Sequence, residues 1–322
     1  MAVLEVEGLK TYFQILRGYV KAVDGVSFKV EKGEAMGLAG ESGCGKTTTA
    51  LSVLKILPSN GRIVGGKVIF DNADITKFSE DEMREKVRWK GISLVFQGAM
   101  NAMNPVQRIG DQIVEAILLH EPGMERREAK DRARKLLELV GINPGRVDNY
   151  PHEFSGGMRQ RAMIAMALSS NPQMIIADEP GTALDVIVAA QVLKLLKELK
   201  EKLNLSMILI THDLSIIAET CEKSAIMYAG KVAEYGDVVT IFKEPLHPYT
   251  QGLIGAFPNI KEEQRLKMES IPGSPPDLLN PPSGCRFHPR CPYAMDVCKK
   301  VEPELLSVGK MHSVSCHLAV KK

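Results

Sequence analysis

The sequence predicts an α/β fold with a mainly parallel sheet at its core, preceded by an antiparallel β subdomain. Apolar strands alternate with helical segments throughout residues 35–230, which is typical of a parallel sheet with helices on its faces. Residues 3–37 precede this region, and within them 26–30 alternate apolar and polar side chains as a half-buried strand does. Residues 40–47 form a glycine-rich loop between a strand and a helix, and they indicate where the chemistry lies.

Composition excludes several classes of protein. The 322 residues carry 41 basic against 39 acidic side chains, so the charge excess of a nucleic-acid-binding protein is missing and no nucleic-acid partner is expected. No apolar run approaches the roughly 18–20 residues that span a bilayer. The first ten residues, MAVLEVEGLK, lack the pattern of a signal peptide. We therefore expect a cytoplasmic chain that does not itself cross a membrane.

The segment GESGCGKT at 40–47 fits the pattern GxxxxGK[ST] of a phosphate-binding loop. It follows a short apolar strand, Ala35–Ala39, and precedes a predicted helix that ends near Leu57. Successive backbone N–H groups of such a loop surround a polyphosphate, and the helix N-terminus adds partial positive charge. Lys46 would reach the β- and γ-phosphates, and the Thr47 hydroxyl would ligate Mg²⁺. The other residues predicted to contact the nucleotide here are Gly40, Ser42, Gly43, Cys44, Gly45 and Thr48.

Two carboxylates follow a predicted buried strand at 174–177. In α/β folds, ligands bind at the carboxyl ends of such strands. Asp178 would therefore hold Mg²⁺, and Glu179 would orient or deprotonate the attacking water. His212 follows the next predicted strand, 205–210, and could contact a γ-phosphate.

Three further features are weak signals on the residues alone. Gln97 follows a strand predicted at 92–96, and Ser155-Gly156-Gly157 opens a helix as a second potential anion site. Tyr12 and Phe13 could stack on a purine. Each feature also fits an ordinary loop, turn or strand position.

The remaining pattern divides the chain into two parts. Residues 61–70 read as a strand pair turning at Gly65-Gly66, and residues 110–141 read as a charged amphipathic helix ending at Gly141. Composition shifts near 242, and 271–284 is a proline-rich linker. We expect a nucleotide-binding domain over 1–241, with a helical subdomain at about 98–172, and an extension over 242–322.

The extension contains four cysteines with the spacing Cys285-x5-Cys291-x6-Cys298-x17-Cys316. In a reducing compartment such a cluster indicates a metal or cofactor site rather than disulfides. Four thiolates suit either an iron–sulfur cluster or tetrahedral zinc. Zinc sites usually contain closely paired cysteines, which this spacing lacks, although three nearby histidines keep a mixed zinc site open: His288, His312 and His317.

Taken in order, these elements resemble the ATP-binding subunit of an ATP-binding-cassette (ABC) transporter over almost the whole chain. The matching motifs are Walker A at 40–47, the Q-loop glutamine Gln97, the signature FSGGM at 154–158, Walker B MIIADE at 174–179, the D-loop Ala183-Leu184-Asp185 and the switch histidine His212. The resemblance implies nucleotide or Mg²⁺ contacts for Gln97 and makes Phe13, then Tyr12, the adenine-stacking aromatic. Phe154 and Met158 depart from the common signature LSGGQ, whereas Ser155, Gly156 and Gly157, the implied phosphate contacts, are intact.

The C-terminal third is similar to that of oligopeptide and dipeptide importer subunits. The segments that carry this similarity are LHPYTQ at 246–251, GSPPD at 273–277 and GCRFHPRCP at 284–292. In that subfamily the four cysteines can hold a [4Fe–4S] cluster, so the resemblance implies this cofactor, with zinc as the alternative.

The resemblance also implies a function and a set of partners. The chain would hydrolyse Mg·ATP at the cytoplasmic face of the cell membrane and drive uptake of di- or oligopeptides. Its expected partners are two transmembrane permeases, a second ATP-binding subunit of different sequence paired head to tail, and an extracytoplasmic binding protein.

The sequence leaves other cargoes open and argues against two other classes of ABC ATPase. Related importers carry nickel or oligosaccharides. Soluble ABC ATPases of translation usually contain two cassettes, and those of DNA repair insert a long coiled coil for which residues 48–153 leave no room. The cysteine cluster could also act as a redox or iron sensor.

Overall fold

The computed structural model of the chain describes residues 2–98, 102–256, 271–309 and 311–319. These residues form two compact units. The first comprises Met1–Val30, Ala35–Thr76 and Ile210–Lys322, and the second comprises Glu31–Glu34 and Lys77–Leu209. Strands and helices are numbered along the chain. The described residues of the C-terminal part, which is the chain from residue 242 onward and contains four cysteines, thus belong to the same unit as the phosphate loop. The domain boundary between 241 and 242 stays a prediction.

The first unit contains an antiparallel sheet, as predicted for the N-terminal region. Its strands lie in the order β2-β1-β4-β5. Their bounds are β1 Ala2–Ile15, β2 Gly18–Glu31, β4 Gly61–Phe70 and β5 Ala73–Asp74. The prediction of a strand pair over 61–70 is wrong. This segment is one strand, and Gly65-Gly66 lies opposite a register shift between Glu7 and Lys10 of β1 instead of forming a turn.

The second sheet of this unit runs in the order β11-β12-β10-β9-β3. Its strands are β3 Ala35–Ala39, β9 Lys223–Tyr228, β10 Lys231–Asp237, β11 Leu306–Gly309 and β12 His312–Val314. β3 pairs with β9 in parallel, but the pairs β9–β10, β10–β12 and β11–β12 are antiparallel. The sheet is therefore mixed, because the two-residue turn Ala229-Gly230, with positive φ at both residues, joins β9 to β10 as a hairpin.

The helices of the first unit surround these sheets. They are α1 Lys46–Val53, α7 Leu214–Thr220, α8 Val238–Lys243, α9 Pro248–Gly255 and α10 Asp296–Lys300. Residues 271–284, all of them described, form neither helix nor strand, as expected for a proline-rich linker. A fully buried carboxylate connects β10 to the segments after it: Glu234 accepts hydrogen bonds from the N–H groups of Leu246 and His247 and from His312 Nε2.

The second unit contains three neighbouring strands and a group of helices, and the helical subdomain expected at about 98–172 stays a prediction. The strands lie in the order β8-β7-β6, with β6 parallel to β7. Their bounds are β6 Ile92–Val95, β7 Met174–Asp178 and β8 Ser206–Ile210. The helices are α2 Glu80–Glu82, α3 Ile109–His120, α4 Arg126–Leu139, α5 Gly156–Ala167 and α6 Val186–Leu203. None of the helices in the described ranges is both long enough and apolar enough to cross a membrane.

The single helix predicted over 110–141 is two helices. Pro122-Gly123 lies between α3 and α4, and a proline removes the N–H that would continue the helical ladder. Gly141, with φ of +76°, ends the second helix as predicted. One face of each helix is fully buried, and it consists of Ile109, Ile113 and Ile117 on α3 with Ala129, Ala133 and Leu137 on α4.

Glu234→Ala should destabilise the chain by about 3 kcal/mol, because it leaves the N–H groups of Leu246 and His247 and the buried His312 without their acceptor. Urea unfolding followed by circular dichroism measures the change. Glu244→Ala, which removes an exposed carboxylate from the same region, is the control and should change stability little. Equal unfolding free energies for the two variants would contradict this assignment.

Candidate functional site

The phosphate loop has the backbone that a polyphosphate site needs. Gly40 and Gly45 have φ of +142° and +104°. A Cβ at Gly40 would lie 2.1 Å from the Met227 carbonyl oxygen, and one at Gly45 would lie 2.3 Å from that of Ala22. Only glycine therefore fits at these two positions, and the loop is held against β9 and β2.

Lys46 lies at the start of α1 and is buried, with 6% of its surface exposed. Its Nζ donates to the carbonyl oxygens of Gly40 at 2.7 Å and Glu41 at 3.1 Å. The ammonium group is thus already positioned over the loop that it is predicted to serve. Thr47, the predicted Mg²⁺ ligand, is exposed beside it.

The two candidate aromatic platforms lie on opposite faces of β1, because successive strand residues alternate. Phe13 packs against the strand β4, where a Cβ at Gly61 would lie 2.8 Å from its ring. Tyr12 donates to Asp24 Oδ1 at 2.7 Å. Burial and this hydrogen bond raise the pKa of Tyr12 to about 12. The choice of adenine platform between the two stays a prediction.

Asp24 connects Tyr12 to residues further along the chain. Burial opposes its ionised form, but the hydrogen bond from Tyr12 and the charges of Lys231 and Arg286 outweigh burial and lower the pKa of Asp24. Arg286 donates to both Asp24 and the Ala229 carbonyl oxygen. Asp24 is therefore ionised and paired with an arginine that directly follows Cys285.

In the second unit, the structure brings two predicted site residues into contact. Gln97 Nε2 donates to Glu179 Oε2 at 2.9 Å, and the Thr182 hydroxyl donates to the same oxygen at 2.9 Å. Glu179 has a φ of +45°, an uncommon conformation for a non-glycine residue, and it follows Asp178 at the end of β7. Asp178 is the last residue of β7 and is 3% exposed, whereas Glu179 is the first residue of the loop that follows.

The signature segment begins a helix, as predicted. Ser155 caps α5 by accepting from the Met158 N–H at 3.3 Å, and Gly156 and Gly157 form the first helical positions. Phe154 is buried, which accounts for an apolar residue at this position. Asp185 of the D-loop segment caps α6 in the same way, accepting from the Val188 N–H at 3.0 Å. In the first unit, His212 is exposed after β8, just before α7.

All four cysteines of the C-terminal part line one small cavity, together with His247, His288 and His317. Burial, with the neighbouring Cys298, Cys316 and Cys291, raises the pKa of Cys285 to about 11. Burial likewise raises the pKa of Cys291. The donor set has the chemistry of an iron–sulfur or zinc site, but among the described residues no three Cys, His, Asp or Glu side chains are arranged to hold a metal ion.

Sequence reasoning missed the residues that hold the phosphate loop from the C-terminal part. Arg290 forms a bidentate ion pair with Glu41, and the Tyr249 hydroxyl accepts from the Glu41 N–H at 2.9 Å. One signal was present: a carboxylate within a loop that binds polyphosphate is unfavourable unless a cation neutralises it.

Two family matches cover most of the chain. Residues 23–182 match the ABC transporter family, and residues 233–298 match the oligopeptide/dipeptide transporter C-terminal region. The dipeptide transport ATP-binding protein DppD of Bacillus subtilis is 46% identical over 319 residues, which are 98% of this chain and 94% of that protein. The oligopeptide transport ATP-binding protein OppD of Escherichia coli is 45% identical over 315 residues, 97% of this chain and 92% of that one.

Solved structures show the same cassette. The ATP-binding cassette MJ0796, in a dimeric post-hydrolysis state bound to ADP and Pi, is 25% identical with a TM-score of 0.65, covering 73% of this chain and 98% of its own. The cbiO1 protein of Clostridium perfringens, part of the transporter complex cbiONQ, is 27% identical with a TM-score of 0.65, covering 76% of this chain and 91% of its own.

Lys46→Ala should weaken ATP binding by about tenfold or more, because it removes the charge held over the loop by two carbonyl oxygens. Isothermal titration with ATP measures the affinity. Lys29→Ala removes an exposed lysine from β2 of the same unit and should leave the affinity unchanged. Equal affinities for ATP in the two variants would count against the phosphate-loop assignment.

Proposed function

This chain belongs to the ABC transporter family and is an ATPase of that family, and on that premise we propose that it energises a membrane importer of di- or oligopeptides. The match of residues 233–298 to the oligopeptide/dipeptide transporter C-terminal region supports this cargo class. Relatives named for dipeptide and oligopeptide transport, 45–46% identical over nearly the whole chain, support it further.

The chemistry of the motif residues fits Mg·ATP hydrolysis. The phosphate loop and Lys46 bind the triphosphate. Thr47 and Asp178 offer the oxygen donors that Mg²⁺ prefers, and Gln97 is a third candidate. When bound, Mg²⁺ neutralises charge on the phosphate oxygens. His212 would contact the γ-phosphate.

The observation that carries the catalytic assignment is the hydrogen bond between Gln97 and Glu179. The Gln97 amide and the Thr182 hydroxyl both donate to one oxygen of Glu179, which fixes the carboxylate as an acceptor. A carboxylate held in this way is suited to orient an attacking water or to take its proton.

We propose that this chain pairs head to tail with a second ATP-binding subunit. The dimeric, ADP- and Pi-bound form of MJ0796 supports a paired state for the cassette. Ser155 is exposed at the start of α5, where backbone N–H groups and the helix dipole favour an anion. Ser155, Gly156 and Gly157 would thereby complete the partner's nucleotide site.

The proposed assembly places this chain at the cytoplasmic face of the membrane as a peripheral subunit. Its partners would be two permease subunits, a second ATP-binding subunit of different sequence and an extracytoplasmic binding protein. Movement would pass to the permeases through the segment after Gln97, part of which, 99–101, lies outside the described residues.

We also propose that Cys285, Cys291, Cys298 and Cys316 hold a [4Fe–4S] cluster, with zinc as the alternative. The support is that all four thiols line one cavity and that their proximity is costly when they ionise without a cation. A cluster would supply positive iron centres to these thiolates.

Glu179→Gln should retain ATP binding and lose turnover by about a hundredfold or more, because the amide cannot accept the proton of the attacking water. Phosphate release by the assembled importer and ATP binding by the purified chain are measured together. Glu198→Gln, on the exposed side of α6, is the control. Turnover near the wild-type rate in Glu179→Gln would show that another group is the base.

Protein purified anaerobically should be brown, contain iron and lose its visible absorption when reduced. Cys298→Ser should lower the iron content, whereas Cys221→Ser, which changes a buried cysteine outside the cavity, should not. Colourless wild-type protein with one zinc per chain would exclude the cluster and favour the alternative.

A further inference from the structure

Glu41 is an unexpected residue in a loop that binds a triphosphate. It stands between Gly40 and Ser42, and its backbone carbonyl already accepts from Lys46 Nζ at 3.1 Å. A free carboxylate at this point would repel the phosphates and compete for the lysine. The loop therefore needs a cation for Glu41 other than Lys46.

Arg290 supplies that cation from a position 249 residues further along the chain. Its Nη1 and Nη2 donate to the two carboxylate oxygens of Glu41 at 2.7 and 3.0 Å. This is the bidentate geometry in which a guanidinium and a carboxylate interact most strongly. Only 6% of the Arg290 side chain and 26% of the Glu41 side chain are exposed, so water screens the pair weakly.

Arg290 is itself held in one orientation. Its Nε donates to the Pro272 carbonyl oxygen at 2.7 Å, its Nη1 donates to the Tyr228 hydroxyl at 3.3 Å, and its guanidinium lies 5.7 Å from the Tyr228 ring centroid. Turning the guanidinium away from Glu41 would break several contacts at once. The pair is therefore a fixed feature and not a surface contact of two mobile side chains.

A second contact holds the backbone of the same residue. The fully buried Tyr249 accepts from the Glu41 N–H, and its ring packs on Tyr228 and Phe287 with centroids 4.6 and 5.4 Å away. Both the main chain and the side chain of Glu41 are thus fixed by residues that follow position 242.

We propose that Arg290 is a positioning residue of the nucleotide site, which sets the affinity for the triphosphate by neutralising the charge of Glu41. This inference rests on the proposed use of the loop for ATP. Arg290 does not contact the reacting atoms and acts through Glu41. Arg290 belongs to the C-terminal part, where it directly precedes Cys291. Through its ion pair with Glu41, the C-terminal part therefore contributes to the nucleotide site.

Arg290→Ala should raise the Kd for ATP by about tenfold and the Kd for ADP by less, because the exposed carboxylate then repels the more highly charged nucleotide more strongly. Isothermal titration of the full chain with each nucleotide gives both values. The increase should shrink at high salt. Arg290→Lys, which keeps the charge but loses the bidentate geometry, should give an intermediate Kd.

The double variant Glu41→Gln with Arg290→Ala separates electrostatic positioning from a merely structural contact. Removal of both charges should return the Kd for ATP to within about threefold of the wild-type value. If the ion pair is only a structural contact, the double variant should bind ATP as weakly as Arg290→Ala does. Glu302→Gln breaks another ion pair of the C-terminal part, that with Lys231, and should leave the affinity unchanged.

The single variant Glu41→Gln keeps the test open if Arg290→Ala does not fold. This variant leaves the arginine charge beside the loop, so its Kd for ATP should equal or fall below the wild-type value. If the ion pair had only a structural role, Glu41→Gln should bind ATP more weakly than the wild type. An unchanged Kd in folded Arg290→Ala, or no recovery in the double variant, would overturn the inference. Wild-type protein that does not bind ATP would instead overturn the proposed function.

Discussion

The structure of the phosphate loop depends on the close approach of backbone to backbone. The carbonyl oxygens of Met227 and Ala22 occupy the space that side chains at Gly40 and Gly45 would need. The loop therefore cannot be shaped by its own sequence alone, because the strands that carry those carbonyls must already be in place. Lys46 completes the arrangement by donating to two loop carbonyl oxygens, which holds its ammonium group at the loop.

The same dependence extends to the C-terminal part of the chain. Its residues are not an appendage to the first unit, since Arg290 and Tyr249 hold the side chain and the main chain of Glu41, and Arg286 pairs with Asp24. Both arginines are neighbours in sequence of cysteines that line the four-thiol cavity, since Arg286 follows Cys285 and Arg290 precedes Cys291. Residues directly beside two of the thiols therefore contact Asp24 and the phosphate loop.

The local patterns predicted most elements because each depends on near neighbours. Alternation over 26–30 gave the correct strand faces, Ser155 caps its helix, and Gly141 ends another. Two predictions of local structure were wrong for local reasons: Pro122-Gly123 divides a helix that periodicity treated as continuous, and Gly65-Gly66 lies opposite a shift of register rather than in a turn. The sheet is mixed where a mainly parallel one was expected, because a hairpin turn reverses β10, which begins just after residues 35–230.

The sequence by itself determined the family and the kind of chemistry, because the motifs are short and each carries its own donors, acceptors and glycines. Only the tertiary structure decided which residues act together. The bond between Gln97 and Glu179 spans 82 positions, and that between Arg290 and Glu41 spans 249. Contacts over such separations depend on how strands and loops pack, which leaves no periodic pattern in the sequence. The four cysteines illustrate both cases: their number and spacing indicate a site, and the fold brings them to one cavity.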